Sequence, residues 1–216
     1  SLLHRRIFKR NFMLGYMHAS IAFGWFLLIV VGFFEAEFGI HGSKPFWVAI
    51  FYRFFQHDHN TYASAAVFTQ VMDGLLLFVL SGIAIAFVKM IYSRIVGMRK
   101  VTKHVIFDRF AKVSLWCIFP FRLMSESVTA AMYHNGGFLT QTIGDILPFA
   151  NVYVEYTCWL LYSLALGVFF TSMPFSRYMH IFTEPFLIFF RRLGVKEDEQ
   201  KSGFTMYELS ACSRCG

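Results

Sequence analysis

Four long apolar runs dominate the sequence and limit what the chain can fold into. They cover about residues 12–34, 66–91, 110–133 and 152–181, and a helix needs roughly 20 apolar residues to cross the hydrocarbon core of a bilayer. Hydrophobic residues make up 56% of the chain, whereas soluble domains contain about 45–50% apolar residues. The sequence therefore predicts an all-α membrane protein built as a bundle of four transmembrane helices.

The connections between these runs add three expectations. The stretch FWVAIFYRFF, after the first run, is too short to span and predicts an external segment that lies in the membrane interface. Pro120 is expected to kink the third helix. Pro174 need not end the fourth helix, because spanning helices often satisfy the carbonyl that a proline frees, so this helix is predicted to continue to Ile181.

Positive charge predicts the orientation of the bundle. A net charge of +7 could indicate nucleic-acid binding, but the cations lie beside the ends of the apolar runs. The two loops taken as external contain only Lys44 and Arg53. The three segments taken as internal contain Arg5, Arg6, Lys9, Arg10, Lys89, Arg94, Arg99, Lys100, Lys103, Arg109, Arg177, Arg191, Arg192 and Lys196. This bias places both termini in the cytoplasm and predicts no nucleic-acid partner.

Two histidines lie at similar predicted depth in the first and last runs. His18 enters the first helix from the cytoplasmic side, and His180 lies near the cytoplasmic end of the fourth. Ionisable groups inside a membrane are usually functional, and two imidazoles on facing helices suit the iron of a b-type haem. The alternative is that both histidines only pack or lie at the interface.

Neighbouring residues could complete this haem site. Gly15 and Gly24 flank His18 and could let a porphyrin face approach the backbone. Arg10 and Arg177 lie near enough to the interface to pair with haem propionates.

The end of the sequence contains a second cofactor signal. Cys212-Ser-Arg-Cys215 matches the opening of a 4Fe-4S motif, which needs four cysteines. Two cysteines do not complete such a site, so the protein continues beyond Gly216 or the pair has another use. A CxxC pair also fits zinc or redox chemistry.

Three charged residues inside the runs are candidates for binding a quinone head group or passing protons. Arg122 and Glu126 are four residues apart and share a helix face, and Asp73 lies near the outer end of the second helix. A structural ion pair is the alternative for Arg122 and Glu126. A second haem held by other histidines is left open. Those histidines are His57, His59 and His134.

The chain resembles the nitrate reductase gamma subunits and the membrane subunits of heterodisulfide reductases. The matching stretches are YMHASIAFGWFLLIVVG, FPFRLMSES and WLLYSLALGVFFTSMPFSRYMHIF, and ELSACSRCG is similar to the start of a ferredoxin-like domain. The resemblance implies a cytochrome b domain over residues 1–195 and a cytoplasmic tail over 196–216 that leads into a 4Fe-4S domain. It also implies a prokaryotic cytoplasmic membrane and soluble iron–sulfur or flavoprotein partners.

The sequence departs from this family at two positions. The family commonly holds two haems through a further histidine in each ligand helix, and the matching positions here are Tyr162 and Leu28. Tyr162 faces the same side as His180, because eighteen residues make five helical turns. The resemblance therefore implies that one haem is kept and the outer one is lost.

These observations predict an electron-transfer subunit of a quinone-linked oxidoreductase. Electrons would pass between membrane quinone and a cytoplasmic iron–sulfur domain or subunit through one bis-histidine haem b. Two alternatives are a haem-free anchor for a soluble redox enzyme and, from the buried charges, a proton channel or transporter.

Overall fold

The computed structural model describes residues 11–39, 48, 50–57, 63–97 and 106–193. Within these ranges the secondary structure is helical and contains no strand. The helices of the described residues are α1 (Phe12–Gly39), α2 (Tyr52–Phe55), α3 (Ala65–Ile95), α4 (Ile106–Tyr133), α5 (Phe138–Ile146), α6 (Val152–Ser172) and α7 (His180–Arg192).

Three of these helices are long and apolar enough to cross a membrane. They are α1, α3 and the segment Val152–Phe175, which begins with α6. The fourth long helix, α4, has 28 residues, but Asp108, Arg109, Lys112, Arg122 and Glu126 make it more polar. It is continuous through Pro120. The prediction of an all-helical protein is thus confirmed for the described residues. Three of the four predicted spans are confirmed as helices long and apolar enough to cross a membrane.

The predicted continuation of the fourth helix to Ile181 is wrong. Helix α6 ends at Ser172, and two short 3-10 turns follow, over Met173–Phe175 and Arg177–Met179. Between them Ser176 has extended backbone, with φ −120° and ψ 169°. Pro174 lacks the N–H that would continue the helical hydrogen bonds, and the backbone leaves the helical conformation at Ser176. His180 therefore begins a new helix, and the five-turn argument that aligned it with Tyr162 does not apply.

The chain divides into two compact units. Unit 1 contains the described residues of Ser1–Arg99 and Ile118–Ser163, and unit 2 contains those of Lys100–Cys117 and Leu164–Gly216. The domain boundary expected near residue 195 lies outside the described residues.

In unit 1, α1 and α3 pack closely because small residues meet at their contact. A Cβ added to Gly24 would lie 2.6 Å from Cγ2 of Val79, and one added to Gly82 would collide with the hydroxyl of Ser20. Ser20 is fully buried. Small residues are what allow helix backbones to approach each other inside a membrane, where lipid supplies no hydrophobic drive for association.

The helical connections of unit 1 also contribute to packing. The predicted interfacial segment contains α2, and the rings of Phe51, just before α2, and Phe54, within it, contact Trp159 of α6 at centroid distances of 5.9 and 5.7 Å. The loop expected between the third and fourth apolar runs contains a further helix, α5, which the sequence analysis did not predict.

In unit 2, the 3-10 turns pack against the beginning of α4 and the end of α6. The ring of Phe175 contacts Phe107 at a centroid distance of 5.2 Å, and that of Tyr178 contacts Phe169 at 5.6 Å. The turn that leads into His180 is thereby fixed by aromatic side chains.

Candidate functional site

Buried charged residues gather at one end of unit 1, where α1 and α4 end and α3 and α6 begin. We call this region the polar end. Its charged members are Glu35, Arg53, Asp73 and Glu155, which are at most 5% exposed. Uncompensated charges at such burial are costly, so each requires a partner.

Asp73 of α3 binds the first turn of α5. Its Oδ2 accepts hydrogen bonds from the backbone N–H groups of Leu139 and Thr140, both at 2.9 Å, and from the Thr140 hydroxyl at 3.0 Å. These N–H groups have no partner within the helix, and the helix dipole favours a negative charge there. Asp73, predicted as a quinone or proton residue, is thus engaged in holding α5.

Arg53 links three segments at the polar end. Its Nη1 donates to the carbonyl of Asn135 at 2.7 Å, and its Nη2 lies 3.8 Å from Oε1 of Glu35 on α1. The amide of Asn135 donates in turn to the carbonyl of His57, at 3.4 Å. Arg53 therefore provides the positive charge beside Glu35.

Arg122 and Glu126 form an ion pair within α4, as their spacing predicted. The distance from Nε to Oε1 is 2.9 Å, and both side chains are at most 7% exposed. Arg122 also lies beside the fully buried Tyr162 of α6. The ring of Tyr162 contacts Phe51 at a centroid distance of 5.6 Å, so Tyr162 packs against both a charged and an aromatic side chain.

Glu155, in the first turn of α6, has a neutral hydrogen-bond donor. Its Oε1 accepts from the hydroxyl of Thr129 at 2.7 Å, and that hydroxyl accepts from the indole N–H of Trp159 at 3.0 Å. Nε2 of His57 lies 3.8 Å from the same carboxylate oxygen. The imidazole of His57 stacks on Tyr133 at a centroid distance of 3.8 Å and an angle of 7°.

His18 lies on the side of α1 that faces α4. It is seven residues, about two turns, from Trp25, whose ring contacts Phe119 of α4 at a centroid distance of 5.7 Å. Ser20 and Gly24 face α3 instead. The Nδ1 atom of His18 is buried, so its imidazole is directed into the protein.

His180 is oriented by the turn that precedes it. Its Nδ1 lies 2.6 Å from the carbonyl oxygen of Arg177. Because a carbonyl only accepts, Nδ1 carries the proton, and in neutral imidazole Nε2 then holds the lone pair. Arg177 is itself held by Asp108, which accepts from its backbone N–H at 2.9 Å and pairs with its Nε at 3.2 Å.

Several predicted residues take other positions or lie outside the description. Gly24 packs on α3, which accounts for the glycine there, whereas Gly15 is buried three residues before His18. Arg177 is paired with Asp108. Outside the described residues lie Arg10, His59, Cys212 and Cys215. Within the described part of the chain, no cluster of three or more His, Cys, Asp or Glu side chains is placed to hold a metal ion.

Four residues of these networks are not among the predicted site residues: Glu35, Arg53, Asp108 and Glu155. Each lies within a few residues of a helix end, where a charged residue ordinarily faces water. Glu155 could have been identified from two features of the sequence. It lies in the first turn of an apolar helix, and Trp159 follows four residues later on the same helix face. Arg53 gave a weaker signal, because it is the one charged residue of an otherwise apolar segment.

Comparison of the chain with models of protein families, with curated proteins and with solved structures finds no match.

Proposed function

We propose that the chain is a membrane cytochrome b, a four-helix bundle in which α4 is the fourth span. It transfers electrons between membrane quinone and a cytoplasmic iron–sulfur domain or subunit, with His18 and His180 as the axial ligands of one haem b. Haem iron supplies one-electron chemistry, and the protein sets its potential through ligand identity, burial and hydrogen bonds.

The hydrogen bond from His180 to the Arg177 carbonyl carries this proposal. Metal-ligating histidines almost always donate their second ring nitrogen to a carbonyl or carboxylate, which fixes the tautomer and makes the ligating nitrogen more basic. The 2.6 Å contact of Nδ1 supplies this arrangement. The residues present therefore fit an axial imidazole bound through Nε2.

Two features on α1 support His18 as the other ligand. The histidine faces α4 rather than α3, and Gly15 lies one turn away on the same face. Ionisable side chains within apolar spans are rare and usually functional, and a neutral imidazole nitrogen is a good ligand for haem iron.

The charged residues near His180 have a positioning role in this proposal. Asp108 holds Arg177 through both backbone and side chain, and Arg177 holds His180 through its carbonyl. Arg177 remains a candidate for pairing with a propionate, and its guanidinium would then contact both the propionate and Asp108.

Orientation, location and partners complete the proposal. The excess of Lys and Arg beside the predicted inner ends supports cytoplasmic termini, and a prokaryotic membrane is what the resemblance to the nitrate reductase gamma subunits implies. The Cys212 and Cys215 pair supports an iron–sulfur partner or continuation.

Haem-to-protein stoichiometry of the purified chain tests the function. Pyridine haemochrome analysis is expected to give one haem b per chain, and His18→Ala and His180→Ala are each expected to abolish it while the protein still inserts. Substitution of the exposed His134 by Gln is the matched control and should retain the haem.

Each other result contradicts a stated part of the proposal. Absence of haem from the unaltered chain would favour the haem-free anchor. Retention of the spectrum in either alanine variant would remove that histidine from the site, and two haems per chain would contradict the loss of the outer one.

A further inference from the structure

Among the described residues of unit 1, four carboxyl groups and two guanidinium groups are buried, so the buried acidic groups are in excess. The carboxyl groups belong to Glu35, Asp73, Glu126 and Glu155, each at most 3% exposed, and the guanidinium groups to Arg53 and Arg122. An unpaired buried charge is strongly unfavourable and is usually relieved by binding a proton.

Three of the four carboxyl groups have a fixed positive partner. Glu126 pairs with Arg122, Glu35 lies beside Arg53, and Asp73 accepts the N–H groups at the start of α5. Glu155 differs: its direct hydrogen bond comes from the neutral hydroxyl of Thr129. The cationic partner within reach among the described residues is His57, whose own charge depends on binding a proton.

The imidazole of His57 lies between the surface and this buried carboxyl group. Its side chain is 38% exposed, yet its Nε2 atom is buried, has no hydrogen-bond partner among the described residues, and faces Oε1 of Glu155. Stacking on Tyr133 fixes the plane of the ring. A histidine with one edge near solvent and one nitrogen facing an acid has the geometry of a proton shuttle.

We propose that Glu155 and His57 form a proton-exchange site, through which the buried charges of unit 1 take up and release a proton at the polar end. A proton from water binds Nδ1 of His57, and the proton on Nε2 passes to Oε1 of Glu155. The imidazole ends as the other neutral tautomer, the carboxylate becomes an acid, and no electron is transferred. The 3.8 Å separation closes by roughly 1 Å when the hydrogen bond forms.

Thr129 lies on the same face of α4 as the ion pair of Arg122 and Glu126. Arg122, Glu126 and Thr129 follow one another at spacings of four and three residues, which place them on the same side of the helix. Among the described residues, Tyr133 also interacts with the charge of Glu155, and Trp159 donates to the Thr129 hydroxyl that Glu155 accepts. Glu126 has Arg122 beside it, whereas the nearest donor to Glu155 is the neutral Thr129 hydroxyl. A proton on Glu155 therefore neutralises the carboxyl group that has no arginine partner among these residues.

Infrared difference spectroscopy of the full chain in lipid vesicles tests the site without involving the haem. Spectra recorded as the external pH is lowered should show a protonated carboxyl band that Glu155→Gln removes. After a pH jump, His57→Phe, which keeps the stack on Tyr133, should slow the appearance of this band at least tenfold. Substitution of the exposed Glu37 by Gln and of His134 by Gln should change neither the band nor its rate.

Three results would overturn the proposal. A titrating carboxyl band unchanged in Glu155→Gln removes Glu155, and an unchanged rate in His57→Phe removes the shuttle. If Glu155→Gln does not fold, Thr129→Val replaces it: loss of the hydroxyl donor must shift the frequency of the band, and an unshifted band assigns it elsewhere. The haem content of each variant is measured in parallel, so failure of this site and failure of the cytochrome proposal are distinguishable.

Discussion

The carboxylate of Asp73 on α3 accepts the backbone N–H of Thr140 on α5 at 2.9 Å, across 67 positions of the sequence. Together with the N–H of Leu139 and the Thr140 hydroxyl, this contact caps the helix from outside. The side chain of Thr140 also accepts the N–H of Gly137 at 3.0 Å. One carboxylate thus holds the start of a nine-residue helix.

Replacing this carboxylate should loosen α5. Asp73→Asn keeps the shape but loses the charge that the N–H groups stabilise, so we expect the free energy of unfolding in detergent to fall by about 1–3 kcal/mol. Gln70→Ala is the control, since Gln70 accepts a single, exposed hydrogen bond from Phe138. Equal losses in the two variants would contradict the special role of Asp73.

The contact of α1 with α3 should be sensitive to single methyl groups. Gly82→Ala places a Cβ against Ser20, and overpacking of this kind costs about 1–3 kcal/mol. Gly74→Ala on the same helix meets no atom within 4 Å and should instead stabilise by about 0.5–1 kcal/mol. Denaturant titration in detergent measures both, and Ser20→Gly should restore part of the loss in Gly82→Ala.

Asp108 should act on the proposed haem through Arg177. Asp108→Asn weakens the contact that holds the Arg177 turn, so His180 is less well oriented, and we expect haem affinity to fall about tenfold. Arg109→Gln, at the neighbouring exposed position, should leave affinity unchanged. The rate of haem loss to an apo-acceptor protein measures the effect, and a shifted reduction potential separates it from simple unfolding. Unaltered affinity and potential in Asp108→Asn would show that the turn is held by other contacts.

Tyr178 should make the stability of unit 2 depend on alkaline pH. Burial and, secondarily, the charge of Asp108 raise the pKa of Tyr178 to about 12, whereas an unfolded tyrosine has a pKa of about 10. Below pH 10 both states are protonated, and as pH rises from about 10 to 12 the unfolded state releases its proton first, so stability falls. Tyr178→Phe should flatten this decline, while Tyr153→Phe, at an exposed position, should not.

Long apolar runs predicted the main helices because their pattern is independent of tertiary contacts. The beginning of α1 at Phe12 and of α6 at Val152 and the end of α4 at Tyr133 agree with the predicted bounds. Contacts between distant residues could not be predicted in this way. Helix α5 depends on Asp73, which is 67 positions away from Thr140, and the turn before His180 is held by Asp108.

The candidate site was predictable only where its residues are close in sequence. The spacing of Arg122 and Glu126 identified a pair that the structure confirms. Glu155 and His57 are joined by folding alone, and nothing in either local sequence predicts the other. The departure at Ser176 follows from Pro174, where the sequence predicts a continuous helix because spanning helices often give the freed carbonyl a local partner.

The close approach of α1 and α3 has a consequence for biogenesis. Ser20, Gly24, Val79 and Gly82, which make this contact, all precede residue 96. A nascent chain therefore possesses both halves of the contact before α4 has been translated, and its first two apolar segments can associate as a pair while synthesis continues. Later segments would then be added to an existing two-helix template.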